Sequence, residues 1–168
     1  MPAGSESIAV TVVVERRETA NRWQPSVWHP VGVVVGTPPI SEPRVVHRAP
    51  GVVHYQLATV PLSAHRGETE GYKRNLSNSR PKVYLLLRFD EGALPVVALA
   101  TVCPDEALDY LDSADAEEIV EPVAMPEAVA AWLSGFVARH HVDRPFRKRK
   151  RKAWKDAPSS AAPPGLRR

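Results

Sequence analysis

An α+β fold is what this 168-residue sequence predicts: about five strands in a mostly antiparallel sheet, one inserted helix and C-terminal helices packed on it, and a disordered basic tail. Three observations predict it. Short runs dense in Val, Ile and Leu recur along the first hundred residues, separated by Pro and Gly. Seventeen prolines are about twice the usual share and favour many short elements over a long-helix bundle. Near the end, Val129, Trp132, Leu133, Phe136, Val137 and His140 follow helical spacing.

Taken in order, residues 1–7 form a flexible N-terminus with no basic-then-apolar leader. A single domain spans 8–143. Ile8–Arg17 (IAVTVVVERR) is a β-branched buried strand. Val27–Gly36 is a second strand, placed at an edge or a bulge by Pro30 and Gly32, since Pro donates nothing to a ladder. Thr37–Pro50, with four prolines, reads as a surface loop, and Val52–Val60 as a third, half-buried strand ended by Pro61. Ser63–Ser77 projects as a helix whose stripe of His65, Thr69, Tyr72 and Leu76 faces the sheet, with Glu68 and Asn75 at its margin. Its glycines, Gly67 and Gly71, cost about 1 kcal/mol each against Ala, so packing must hold it. Val83–Phe89 is the most apolar and central strand, and Asp90-Glu91-Gly92 turns the chain into an antiparallel fifth strand, Leu94–Cys103. Pro104 opens a short helix to Asp112, Ser113–Val123 reads as an acidic loop, and Pro126 opens the last helix.

The charge is divided. Met1–Asp143 holds twelve Lys/Arg against eighteen acids, net −6, whereas Arg144–Arg168 holds ten Lys/Arg against Asp156, net +9. The tail, 144–168, with Arg147, Lys148, Arg149, Lys150, Arg151 and Lys152 in one run, cannot bury a core of its own. It suits salt-dependent, non-specific contact with nucleic acid, or with the acidic block Asp105–Glu127 of the same chain. No apolar run approaches the ~20 residues that span a bilayer, so a cytoplasmic protein is expected.

No constellation specifies a reaction. The six histidines match no metal-ligand spacing, the lone Cys103 permits no disulfide and no cysteine metal site, and neither metal nor cofactor is expected. Cys103 precedes a helix start, a place that lowers a thiol pKa, but no partner base is identifiable. The candidate binding set is His65, Arg66, Glu68, Thr69, Glu70, Tyr72 and Asn75 on the inserted helix, with Lys73 and Arg74 as further donors, and Trp23 and Trp28 beside Pro25. The alternatives are a solvated amphipathic helix with pairs such as Glu70–Arg74, and tryptophans that plug a sheet end.

Three stretches carry a resemblance: WQPSVWHPVGVV; LSAHRGETEGYKRNLS with PKVYLLLR; and ALDYLDSADAEEIVEPVAMPEAVAAWLSGFVARHHVDRPFRKRKR. From about Ile8 to Arg151 the chain resembles a bacterial family classed as domain of unknown function 3305. The resemblance implies genes beside molybdenum-dependent formate dehydrogenase, near iron–sulfur and chaperone-like accessory genes, and hence a cytoplasmic maturation role. It carries no established reaction, so no catalytic residue is transferred. It also implies Ala at 67 and 71, where this chain has Gly.

Three functions follow as expectations: a non-enzymatic accessory protein contacting a formate dehydrogenase subunit or its maturation factors; a small ligand binder or enzyme using His65, Glu68 and Tyr72; and nucleic-acid binding through the tail.

Overall fold

The computed structural model describes residues 4–90, 94–115 and 117–142. It is α+β, with seven strands in two antiparallel sheets rather than five in one. The strands are β1 (Ser5–Glu18), β2 (Ser26–Val35), β3 (Arg44–Ala49), β4 (Val52–His65), β5 (Lys82–Arg88), β6 (Val96–Thr101) and β7 (Glu118–Ala124). The helices are α1 (Thr69–Leu76), α2 (Pro104–Ser113) and α3 (Glu127–His140). The first sheet is ordered β2-β1-β4-β3 and the second β6-β5-β7. β2 runs beside β7, and β4 beside β6, so the sheets face one another across a shared core.

The core follows from the apolar runs. Val10, Val12 and Val14 alternate inward from β1, and Leu85 and Leu87 from β5. Leu57 and Leu62 of β4 join them, and α3 closes the end with Val129, Leu133 and Phe136, none of which reaches solvent. β5 is central in its sheet, as its composition predicts, and β5 and β6 are antiparallel. The Glu91–Ala93 part of the turn between them lies outside the described residues. β2 is an edge strand, and its ladder with β1 skips Val31 between Gly32 and Pro30, the bulge those two residues predict.

Four elements differ from expectation. β1 begins at Ser5, inside the stretch read as a flexible N-terminus, because Ser5 pairs with His65. The proline-rich loop 37–50 contains β3, hairpinned to β4 through Pro50-Gly51; Pro sets one φ and Gly51 takes φ +71°, the pair a tight turn needs. The acidic loop 113–123 contains β7. It is an edge strand, so Pro122 is tolerated, and its Glu118 faces Arg88 across the ladder at 2.7 Å. Finally, Pro61 does not end β4. The β3 partner stops opposite Gln56, so a residue without N–H sits where one side of the strand has no neighbour in the sheet.

The strand therefore continues to His65, and the predicted Ser63–Ser77 helix shortens to a 3-10 turn at Arg66–Glu68 followed by α1. The tail, 144–168, lies outside the described residues. Among the described residues no helix is long and apolar enough to cross a membrane.

Candidate interaction site on the first helix

The stretch His65–Leu76 divides into two sets of side chains. The inward set fastens α1 to the body. Tyr72 is fully buried, its ring edge-on to Phe136 with centroids 6.2 Å apart. Its hydroxyl donates to Glu68 Oε2 at 2.6 Å and accepts from the His65 backbone N–H at 3.0 Å. Burial, and then the Glu68 carboxylate, push the Tyr72 phenol well above its usual range, so it stays protonated and keeps donating.

Asn75 is also fully buried and has every polar atom matched. Its amide NH2 donates to the Lys82 and Val102 carbonyls, both at 2.8 Å, and its Oδ1 accepts from Lys82 N–H at 3.0 Å. One side chain thus ties α1 to the start of β5 and to the residue after β6. Sequence projection placed Asn75 at the stripe margin and missed this role.

Gly71 sits in close contact with the start of α2. A Cβ there would lie 3.1 Å from Cys103 Sγ, tighter than most packing contacts, so alanine at 71 needs the thiol to shift by a few tenths of an ångström. Gly67 has open space instead and carries the helix-propensity penalty alone. Cys103 itself is 3% exposed, and burial pushes its thiol up, outweighing the backbone N–H groups of Asp105 and Glu106 that pull it down. A helix-start cysteine is activated only where solvent or a cation supports the thiolate. Native protein should therefore label with a thiol reagent roughly 100-fold more slowly than urea-unfolded chain. Equal rates measured by mass spectrometry would contradict the buried placement.

The outward set converges with the end of α3. Arg66, Gly67, Thr69, Glu70 and Lys73 line an open cleft of about 520 Å³ with His140, His141 and Val142. His141 Nδ1 is 3.1 Å from Thr69 Oγ1, and its Nε2 is 3.4 Å from Lys73 Nζ and 3.6 Å from Glu70 Oε2. The expected Glu70–Arg74 pair is not made; Arg74 instead binds Asp105 of α2. At the end of α3, Glu6 of β1 accepts from Arg139 at 2.7 Å and lies 3.5 Å from His140.

The Arg139 hydrogen bond, against a smaller desolvation effect, holds the Glu6 carboxyl below its ordinary 4.5. A lowered carboxylate pKa stabilises the fold above the unfolded value and loses that contribution as pH falls through the folded one. Glu6→Gln should accordingly flatten the stability profile on the acid side, below about pH 4.5, and leave its shape near pH 7 unchanged. Urea midpoints measured across that range check this.

The remaining candidates lie apart. The His65 side chain is exposed and lines a different groove, of about 350 Å³, with β6 residues and Glu106. Glu68 is bonded to the Tyr72 hydroxyl, and His65 meets that hydroxyl through its backbone N–H rather than its ring. Trp28 packs on Tyr55 with centroids 5.5 Å apart, the sheet-end plug, whereas Trp23 is 84% exposed under the Arg22 guanidinium. Trp28 pairs with Arg16, eleven residues along β1 from Ser5, roughly 36 Å at strand rise. The tryptophans and α1 are two surfaces, not one. Among the described residues no group of three or more His, Cys, Asp or Glu could hold a metal ion.

Fold and site together define a small two-sheet α+β protein with a short surface helix pinned from beneath and polar above. The chain belongs to the family described as Protein of unknown function (DUF3305), whose model matches residues 9–150. No curated protein and no solved structure matches it.

Proposed function

We propose that this chain is a non-enzymatic, cytoplasmic accessory protein that assists maturation or assembly of a molybdenum-dependent formate dehydrogenase through protein–protein contacts. The observation that carries the reading is the division within His65–Leu76. Tyr72 and Asn75 are fully used in holding α1, so Arg66, Glu70 and Lys73 are presented on a fixed ledge beside His140 and His141. Two side-chain cations and two imidazoles around one carboxylate suit an acidic segment of a partner. The gene neighbourhood implied by the family resemblance supplies the partner class: a formate dehydrogenase subunit or one of its maturation factors.

Deleting the gene should lower formate dehydrogenase activity or the cofactor content of the enzyme in formate-grown cells. Normal activity and normal cofactor content in the deletion strain would reject the reading.

A further inference from the structure

α2 presents a helix face with no cover among the described residues. Leu108 is 57% exposed and Leu111 55%, and Tyr110 beside them is 38% exposed. At 100° per residue, Asp105, Asp109 and Asp112 form a stripe directly beside that leucine pair. Adjacent exposed leucines on a ten-residue helix are an apolar patch bordered by charge, the pattern of a surface that something covers.

The acids of the surrounding block are not equivalent. Glu118 is paired with Arg88, Glu121 with His29, Asp105 with Arg74, and Glu106 accepts from Thr101. Asp109 and Asp112 carry no ion pair among the described residues, and Pro104–Ala138 holds no Lys or Arg at all.

The place where the described chain stops limits what can cover this face. Val142 lines the cleft on α1, and α1 touches α2 through Arg74 and Asp105. α1, one helix diameter of ~10 Å, therefore lies between the chain exit and the Asp105 end of α2, and the exposed leucines follow within two helical turns of Asp105. Residues 143–155 can extend up to about 43 Å. They contain eight Lys/Arg together with Phe146 and Trp154, cations for the aspartates and rings for the leucines.

We propose that the chain's own basic segment, Arg144–Lys155, docks on the exposed face of α2, its cations on Asp109 and Asp112 and an aromatic ring over Leu108 and Leu111. Single exposed ion pairs contribute little, but a tether this short makes the second partner's effective concentration millimolar. Docking makes the segment unavailable to nucleic acid, so a polyanion must displace it from α2 before binding. The contact weakens with salt.

Zero-length carbodiimide cross-linking of the full chain at low ionic strength tests this. Links from Lys148, Lys150 or Lys152 to Asp109 or Asp112 are expected, with a yield independent of protein concentration and lowered about ten-fold in 0.5 M NaCl. Leu108→Ser with Leu111→Ser should reduce the same links several-fold, and Asp109→Asn with Asp112→Asn should tighten binding of a single-stranded oligonucleotide several-fold. The proposal is overturned by links only between two chains, by links only to Glu117 or Asp115, by no links, or by oligonucleotide affinity unchanged in the aspartate variant.

Discussion

Asn75→Ala is expected to destabilise the protein by about 3–5 kcal/mol, since unmatched buried polar groups cost about 1–3 kcal/mol each. The substitution leaves the Lys82 N–H, the Lys82 carbonyl and the Val102 carbonyl without their side-chain partner. It also opens space beneath a helix of only eight residues, too short to persist without packing. Calorimetry should show the melting temperature falling by roughly 10 °C, with the denaturant slope unchanged because the same surface is exposed on unfolding. A fall of a degree or two would show that α1 is held chiefly by Tyr72 and Phe136.

The opposite behaviour is expected on the outer side. Arg66→Glu combined with Lys73→Glu changes the charge of the cleft rim by four units. Surface substitutions away from buried networks shift stability by only about 0.5 kcal/mol. Like charges across an interface disfavour association far more than that. If the proposed partner is a formate dehydrogenase subunit, affinity for it should fall roughly 100-fold, about 2.7 kcal/mol, with melting within a degree or two of the parent. Titration of the labelled full chain measures the parent and the double variant on the same scale. A variant that binds as well as the parent would remove the cleft from the account.

These contrasting outcomes also show which parts of the molecule local residue patterns reveal. Strands with strong apolar runs, β1 and β5, were legible because a buried strand needs nothing but its own composition. The bulge in β2 was legible because Pro30 and Gly32 act locally. β3 and β7 were not, because edge strands carry the residues that loops carry. All of β3 is exposed, and Glu118, Glu121 and Pro122 interrupt the apolar residues of β7. The acids of β7 looked unpaired until pairing of the strands placed Arg88 and His29 opposite them. Pro50-Gly51 was the one local signal for the missed hairpin.

In the site, the inward facing of Tyr72 and Thr69 followed from helical projection, although His65 fell on a strand and left the stripe. The burial of Asn75 and the tight space at Gly71 depend on β5, β6 and Cys103 arriving from later in the chain. No local pattern encodes them. The convergence of Arg66 and Lys73 with His140 and His141 likewise joins residues about seventy positions apart.

Amide hydrogen exchange of the full chain, with and without the formate dehydrogenase subunit proposed as its partner, tests the division of α1 most directly. Added protection confined to residues 66–73 and 137–142, with the amides of β5 and β6 unchanged, is the predicted result. Protection centred on the Trp23 loop, or none at the ledge in the presence of bound subunit, would contradict it.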